Sequence, residues 1–504
     1  MRPILPRGGS GDPPRKVRSL VGLSAALLFA LFVAATARAD DWPQWRGVNR
    51  DGRSAEKGLL KQWPEKGPKL LWTAEGIGTG WSSPAAAGGL LYVTGVVDEK
   101  EFLFACDLDG HIVWREICGP AWTKTHPGSR YTPTVDGKLV FVLGSKGVLA
   151  CFEARNGAKT WAVDLVEKFK VNPLPLWGFA EAPLIADELV LCTPGGREAT
   201  VAALSKRSGE TAWTAHIGGD TSAYSSPLLV ATGTARQAVV LTSGHVVGID
   251  AAAGKVLWHH TFMNLYRDHC NTPLYHDGRI YCAAGYGCGV MELKLSADGK
   301  NAVAEWGNTR LDPLHGGVVL VDGHLYGSGD RSAAWVCLNA ATGDVTYEDR
   351  GIGQGSVIYA DGLLYCRGYN GTVALVRPDP KGYDVVSSFK LPRGEGEHWA
   401  HPVISNGRLY LRHGNALLAY DIRAPEPPGK KKDSAAGQKT AGENGVTVTA
   451  PVIEKPATAP GTSATPPPGD QPAVPGKTTP KPRAATPSPP APTTPPAPTA
   501  PPMN

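Results

Sequence analysis

The chain has 504 residues, with 61 Gly, 44 Pro and 14 Trp, and 22 of the prolines crowd into residues 424–504. Lysine and arginine outnumber aspartate and glutamate by 51 to 46, but the excess belongs to the ends, since residues 40–423 hold 37 basic and 40 acidic side chains. A near-neutral centre excludes the dense cationic face of a nucleic-acid binder, and the proline-rich end cannot join a packed core.

The first element is an apolar run from Leu20 to Ala35, preceded by Arg15, Lys16 and Arg18 and followed by Ala37-Arg38-Ala39. That order reads as a signal peptide, residues 1–39, cut to leave Asp40 as the first mature residue. A run of about 16 apolar residues is short of the ~20 a spanning helix needs. The expected location is therefore the periplasm or cell envelope, with no transmembrane span after cleavage and nine cysteines in an oxidising compartment.

After a lead-in segment, residues 40–68, a repeat governs residues 69–423. Segments reading small-Pro-apolar, then Asp/Asn-Gly, then apolar-Tyr-apolar recur at Pro84, Pro133, Pro183, Pro227, Pro273 and Pro402, with Val318 and Val357 in the same slot. Spacings near 45 residues mean a radial or stacked array. Each period contains short β-branched and aromatic runs split by turn residues, as in Leu90-Leu-Tyr-Val93, Leu103-Phe-Ala-Cys106, Asp109-Gly110 and Ile112-Val-Trp114, and four such strands make one propeller blade. Equivalent turn glycines are Gly157, Gly209, Gly254, Gly299, Gly343 and Gly382, where positive φ is cheap. The last strand carries Trp72, Trp114, Trp161, Trp213, Trp258, Trp306, Tyr347 or Phe389. Because Trp72 precedes the first anchor and only three strands follow Pro402, Lys69 to Glu75 is expected to supply the fourth strand of the last blade. The predicted fold is an all-β, eight-bladed propeller of four-stranded blades.

A blade runs from the axis outward, so the residues just before each anchor rim the channel mouth. Trp81, Arg130, Tyr131, Glu181, Tyr224, His269, Asn271, His315 and Trp399 stand there. The three longest connectors, Ile117 to Thr132, Val166 to Ala182 and Phe262 to Thr272, add Trp122, Trp177 and Tyr266, aromatics outside the repeat that either pack locally or anchor a partner. Such a rim suits a polar or flat ligand, or simply meets water. His398-x-x-His401 and His259-His260 have metal-like spacing but no third ligand nearby, so no metal is expected. No phosphate loop or nucleophile motif appears, and no residue is singled out as catalytic. Cys192, Cys282 and Cys366 share one repeat position and Cys106, Cys151 and Cys337 another, where other repeats place Val, Ala or Gly; they read as core fillers. Cys282 and Cys288 flank a hairpin and are candidates for pairing.

The segments 248–258 (Gly-Ile-Asp-Ala-Ala-Ala-Gly-Lys-Val-Leu-Trp) and 337–347 (Cys-Leu-Asn-Ala-Ala-Thr-Gly-Asp-Val-Thr-Tyr) resemble the repeat of the pyrroloquinoline quinone (PQQ)-like propellers, and Trp42-Pro-Gln-Trp-Arg-Gly47 resembles the opening of their bacterial members. The resemblance covers about Asp41 to Arg423 and joins scaffolds such as the BamB type with quinoprotein alcohol dehydrogenases. It implies, for the enzymes, PQQ and Ca²⁺ at the channel mouth, with a Glu and an Asn on calcium, an Asp as base and an adjacent Cys-Cys disulfide. The matching positions are Glu181, Asn271 and Asp312, but no two cysteines are adjacent and no Cys-x-x-Cys-His haem motif is present. The reading is therefore an exported, monomeric, non-catalytic scaffold with no cofactor, binding a protein or cell-envelope component. A PQQ- and calcium-dependent dehydrogenase and a polysaccharide-binding module are the rivals. The tail, residues 424–504, reads as an extended, partly polyproline spacer.

Overall fold

The computed structural model describes residues 41–232 and 235–425; the segment 1–39 read as a signal peptide and all but the first two residues of the tail lie outside the described residues. Eight antiparallel sheets follow one another along the chain, at 85–120, 134–164, 184–215, 228–261, 274–308, 318–349, 355–390 and 403–421, and are numbered here as blades 1 to 8. Blades 1 to 7 take their four strands in sequence order. In blade 8 the fourth strand is Lys69–Ala74, paired antiparallel with Ala416–Asp421. The fold is thus the expected all-β eight-bladed propeller.

Burial explains why these residues make these strands. Second and third strands such as Leu139–Leu143 and Val148–Glu153 are buried along almost their whole length, because neighbouring blades cover both faces, so they read as continuous apolar runs. Outer strands such as Lys159–Asp164 are covered far less and mix lysine and threonine with one inward tryptophan.

That tryptophan joins blades. Trp114 of blade 1 donates Nε1–H to Ala154 O of blade 2 at 3.1 Å, and Trp161 and Trp213 repeat the bond one blade on, to Lys206 O and Ala251 O. Each indole lies over the turn glycine of the next blade. A Cβ built on Gly157 would fall 2.7 Å from Trp114, and Gly157 has φ +77°, so the position excludes other residues twice over. Trp72 makes the same contact from blade 8 to blade 1, with Nε1 on Leu108 O at 2.8 Å and its ring over Gly110. The pattern lapses in blades 5 and 7: Trp258 of blade 4 turns Nε1–H to Gln237 Oε1 of its own blade at 2.8 Å, and Gly299 of blade 5 packs on Thr232 and Gln237 instead. Gly382 is not at positive φ and has nothing packed on its Cα, whereas Phe389 covers Gly67 of the lead-in.

Two further expectations change. Ile117 belongs to the outer strand Ile112–Pro120, so the first connector starts later. All nine cysteines are free; Cys282 stands opposite Met291 and Cys288 sits in the turn, so the hairpin register keeps the two from facing each other. The six repeat-position cysteines are wholly buried, as core fillers should be.

The lead-in is not a peripheral strap, because it enters the axis. Trp42 pairs with Ala86 of blade 1, and Pro43 O accepts from Val135 N of blade 2. Arg50 donates to Ala182 O, Pro183 O and Pro227 O, in blades 3 and 4 or just before them. Trp45 Nε1 bonds Thr272 Oγ1 ahead of blade 5 at 2.9 Å. Arg46 reaches Val318 O, Val357 O and His401 Nδ1, and Arg53–Ser54 adds a short parallel strand inside blade 7. One peptide of fourteen residues, 41–54, thereby touches all eight blades.

Candidate functional site at the channel mouth

With the channel plugged, its mouth becomes a blind cavity of about 270 Å³. Strand periodicity decides what faces it. Counting back from each anchor, the third residue points inward in seven of eight blades: Trp81, Arg130, Ala180, Tyr224, Cys270, His315 and Trp399 line the cavity. The eighth, Gln354, instead donates to Asp330 Oδ1 at 3.0 Å. The second residue back points the other way, between blades, as side-chain alternation in extended chain requires.

That alternation divides the sequence candidates. Trp81, Arg130, Trp177, Tyr224, His315 and Trp399 come together in the cavity wall. Tyr131, Glu181 and Asn271, all at the second position, do not. Tyr131 is wholly buried and donates to Glu101 Oε2 at 2.9 Å. Glu181 accepts from Thr193 N at 2.7 Å; burial pushes its carboxyl up to about 7 against the pull of Arg50. Asn271 spends Nδ2 on Pro313 O at 2.7 Å and Oδ1 on Gly317 N at 3.0 Å. Asp312 accepts from the amides of Gly287 and Asp330 at 2.9 and 2.8 Å. His269 is buried and stacked on Phe262. Trp122 is 2 % exposed and bonds Thr125 O, so it is a packed residue and not a free anchor. Tyr266 is 60 % exposed against Tyr286, outside the cavity.

Four residues of the wall lie outside the segments just before the anchors and were not foreseen: Trp45 from the lead-in, His126 and Asp268 from connectors, and Tyr286 from a turn of blade 5; Thr132, Ala182 and Ser226, each one residue before its anchor, line it as well. Only Trp45 carried a signal, as part of the Trp-Pro-Gln-Trp-Arg-Gly opening. Asp268 accepts the Cys270 thiol at 3.0 Å, and burial raises its carboxyl to about 6. The Cys270 thiol is itself pushed well above its ordinary value by burial beside that carboxyl, so it is no thiolate nucleophile. Burial lowers His315 to about 4 and the Arg130 guanidinium to about 10.

Aromatic rings dominate the rest. Trp399 contacts Trp81, His126 and His315 with ring centroids 5.3, 5.1 and 5.1 Å away, and Trp177 lies 5.7 Å from Tyr224. Trp81 Nε1, Arg130 Nε and Thr132 Oγ1 are buried and have no hydrogen-bond partner among the described residues. Outside the wall, Leu176, Met263 and Leu265 of the connectors are exposed, Leu265 at 84 %.

The group implied by the resemblance does not fit this wall. Glu181, Asn271 and Asp312 are not in the cavity wall, and each already holds a backbone amide on a side-chain oxygen, while one arginine would have to meet the several carboxylates of PQQ. His398 stacks on His413 at 3.8 Å, and His259 meets His245 edge-on.

Residues 103–328, from the third strand of blade 1 to the second of blade 6, match the family described as outer membrane protein assembly factor BamB. No curated protein matches the chain in sequence. Among solved structures, BamB from Moraxella catarrhalis is similar with a TM-score of 0.52 at 15 % identity, over 71 % of this chain and 98 % of that one. The quinohemoprotein alcohol dehydrogenase from Comamonas testosteroni gives 0.55 at 13 %, over 81 % and 84 %. A second quinohemoprotein alcohol dehydrogenase, from Pseudomonas putida HK5, gives 0.52 at 12 %, over 79 % and 84 %. Identities this low speak for the fold alone.

Proposed function

We propose that this chain, a PQQ-like propeller repeat protein, is an exported, monomeric, non-catalytic binding module that holds a protein or cell-envelope component at its channel mouth. The observation that carries the reading is the convergence of seven blades' inward side chains on one aromatic-walled cavity that a plug closes from below. Side chains with few rotatable bonds make a wall that loses little entropy on binding, and the exposed connector residues Leu176 and Leu265 extend it outward. The similarity to a BamB structure supports the scaffold half of the reading at the level of architecture.

The test is capture from an envelope extract by the mature chain and by Trp177→Ala and Trp399→Ala. The expected result is a component retained by the first and lost, by about tenfold or more, from both variants at unchanged melting midpoint. Capture indifferent to both substitutions overturns the reading. So does dye-linked alcohol oxidation that appears after reconstitution with PQQ and Ca²⁺ and vanishes in Glu181→Gln.

A further inference from the structure

We infer that the ligand of the cavity is a neutral sugar ring, the end or a single unit of a glycan; the inference rests on the reading of the cavity as the binding site. It comes from matching what the wall leaves unsatisfied to ligand chemistry.

Polarity is split across the cavity. On the side of blades 1 and 2 stands a donor, Arg130, whose guanidinium keeps N–H groups beyond the two it gives to Trp177 O and His126 O. On the side of blade 5 stands an acceptor, Asp268. A polar group that a ligand shuts off from water must be paired again, so the ligand must offer oxygen acceptors at one edge and hydrogen donors at the other. Hydroxyl groups do both.

Charge narrows the class. Arg130 and Asp268 face the same small space, so a ligand carrying net charge of either sign gains from one and is repelled by the other. Neither is free to form a strong ion pair. Each terminal nitrogen of Arg130 already gives one hydrogen, to Trp177 O and to His126 O, which fixes the guanidinium and leaves it only part of its donors for a ligand. Asp268 already accepts the Cys270 thiol.

Shape excludes a flat aromatic. Neighbouring rings of the wall are tilted by 55° (Trp81 and Trp399), 57° (Trp177 and Tyr224) and 42° (His315 and Trp399), which makes a faceted bowl and not a slot between parallel plates. A flat ring lies against one facet only. A puckered ring directs polarised C–H bonds several ways and meets several electron-rich faces at once. A volume of about 270 Å³, just under the usual ~300–1,000 Å³ of ligand pockets, holds about one such ring.

The experiment is a titration of the mature chain with methyl glycosides of glucose, galactose, mannose and N-acetylglucosamine, followed by quenching of tryptophan fluorescence. Glucuronic acid, galacturonic acid, glucosamine and galactosamine serve as charged counterparts. At least one neutral glycoside should saturate, its charged counterparts should bind about tenfold or more weakly, and Asp268→Asn and Trp177→Ala should each weaken it by about tenfold at unchanged melting midpoint. Trp177 lies on a connector, so its variant remains informative if Asp268→Asn fails to fold. Periodate treatment of the envelope extract, which cleaves vicinal diols, should abolish capture. The inference is overturned if no neutral glycoside saturates, if the charged counterparts bind as well, or if capture survives periodate. Cavity-dependent capture that survives periodate rejects the sugar and keeps the binding site, whereas capture indifferent to the cavity variants rejects both.

Discussion

Four arginines, Arg46, Arg50, Arg367 and Arg412, are almost wholly buried, and what they meet is carbonyl oxygen. A guanidinium can serve several carbonyls of different blades at once, which a lysine cannot. Burial still lowers Arg50 to about 9, with the Glu181 carboxylate opposing the shift. Arg50→Lys would abandon at least one of three carbonyls and is expected to cost about 2 kcal/mol or more, read from denaturant midpoints. His401 shows the same logic in a titrating group. Its Nε2 lies 2.7 Å from His315 O and must carry the proton, while Arg46 donates to Nδ1, so the ring is neutral. Burial, and then Arg46, lower it to about 3. An unfolded histidine takes up a proton near pH 6.5, so this stability is complete above that pH and is lost as pH falls toward 3. Burial acts the opposite way on Glu181, which disfavours folding as pH rises from about 4.5 to about 7. Three more histidines, the buried His269 and the part-buried His315 and His398, are lowered to about 4 and side with His401. The thermal midpoint should therefore fall from pH 7 to pH 5, and less steeply in His401→Gln, whose amide both donates and accepts. An equal slope in the variant would remove His401 from the account. The residue scale is also where the sequence was read one step short. The rim was found, but candidates from every position before the anchors were taken together. The period of two would have separated Arg130 and Tyr224 from Tyr131, Glu181 and Asn271.

At the scale of the element, the unit of cohesion is a tryptophan on one blade and a glycine on the next. The repeat was legible because both partners recur in sequence at fixed offsets, and strand types followed from it. What the period could not show is which contact the tryptophan makes, since the indole's partner is a backbone carbonyl with no side-chain signature. The pairing gives a discriminating pair of substitutions. Gly137 and Gly157 both have positive φ, but a Cβ at Gly137 meets nothing within 4 Å whereas one at Gly157 meets Trp114. Gly137→Ala should cost about 1 kcal/mol from backbone strain alone, and Gly157→Ala about 1–3 kcal/mol more, because the indole must also move. Equal midpoints in urea would show that the tryptophan yields freely. Deleting Lys69–Ala74 removes both the outer strand of blade 8 and Trp72, the contact of that blade with blade 1. The expected result is a larger fall in melting midpoint than Trp114→Ala or Trp161→Ala produces.

For the molecule as a whole, the lead-in is the part that sequence reading placed least well. It has no period, and its arginines, tryptophans and backbone find partners around the whole ring, so only the assembled ring reveals its role. Trp45 reached the cavity wall by the same route. Arg46 and His401 lie 355 residues apart, and Lys69 pairs with Asp421. A ribosome makes the plug first, yet the surface that receives it is complete only after the last blade has been made. Nothing local can reward the early residues for waiting, so the ordering entropy of the whole ring falls due before its ends meet. Refolding from urea should show blade hairpins forming early and the quenching of Trp45 in one late, slow phase. A chain stopped before His401 lacks that partner of Arg46 and the strand Ala416–Asp421 that Lys69–Ala74 pairs with, and should remain protease-sensitive throughout, however many intact blades it contains. The time at which the molecule becomes itself is thus set by its two ends, and every blade between them is provisional until then.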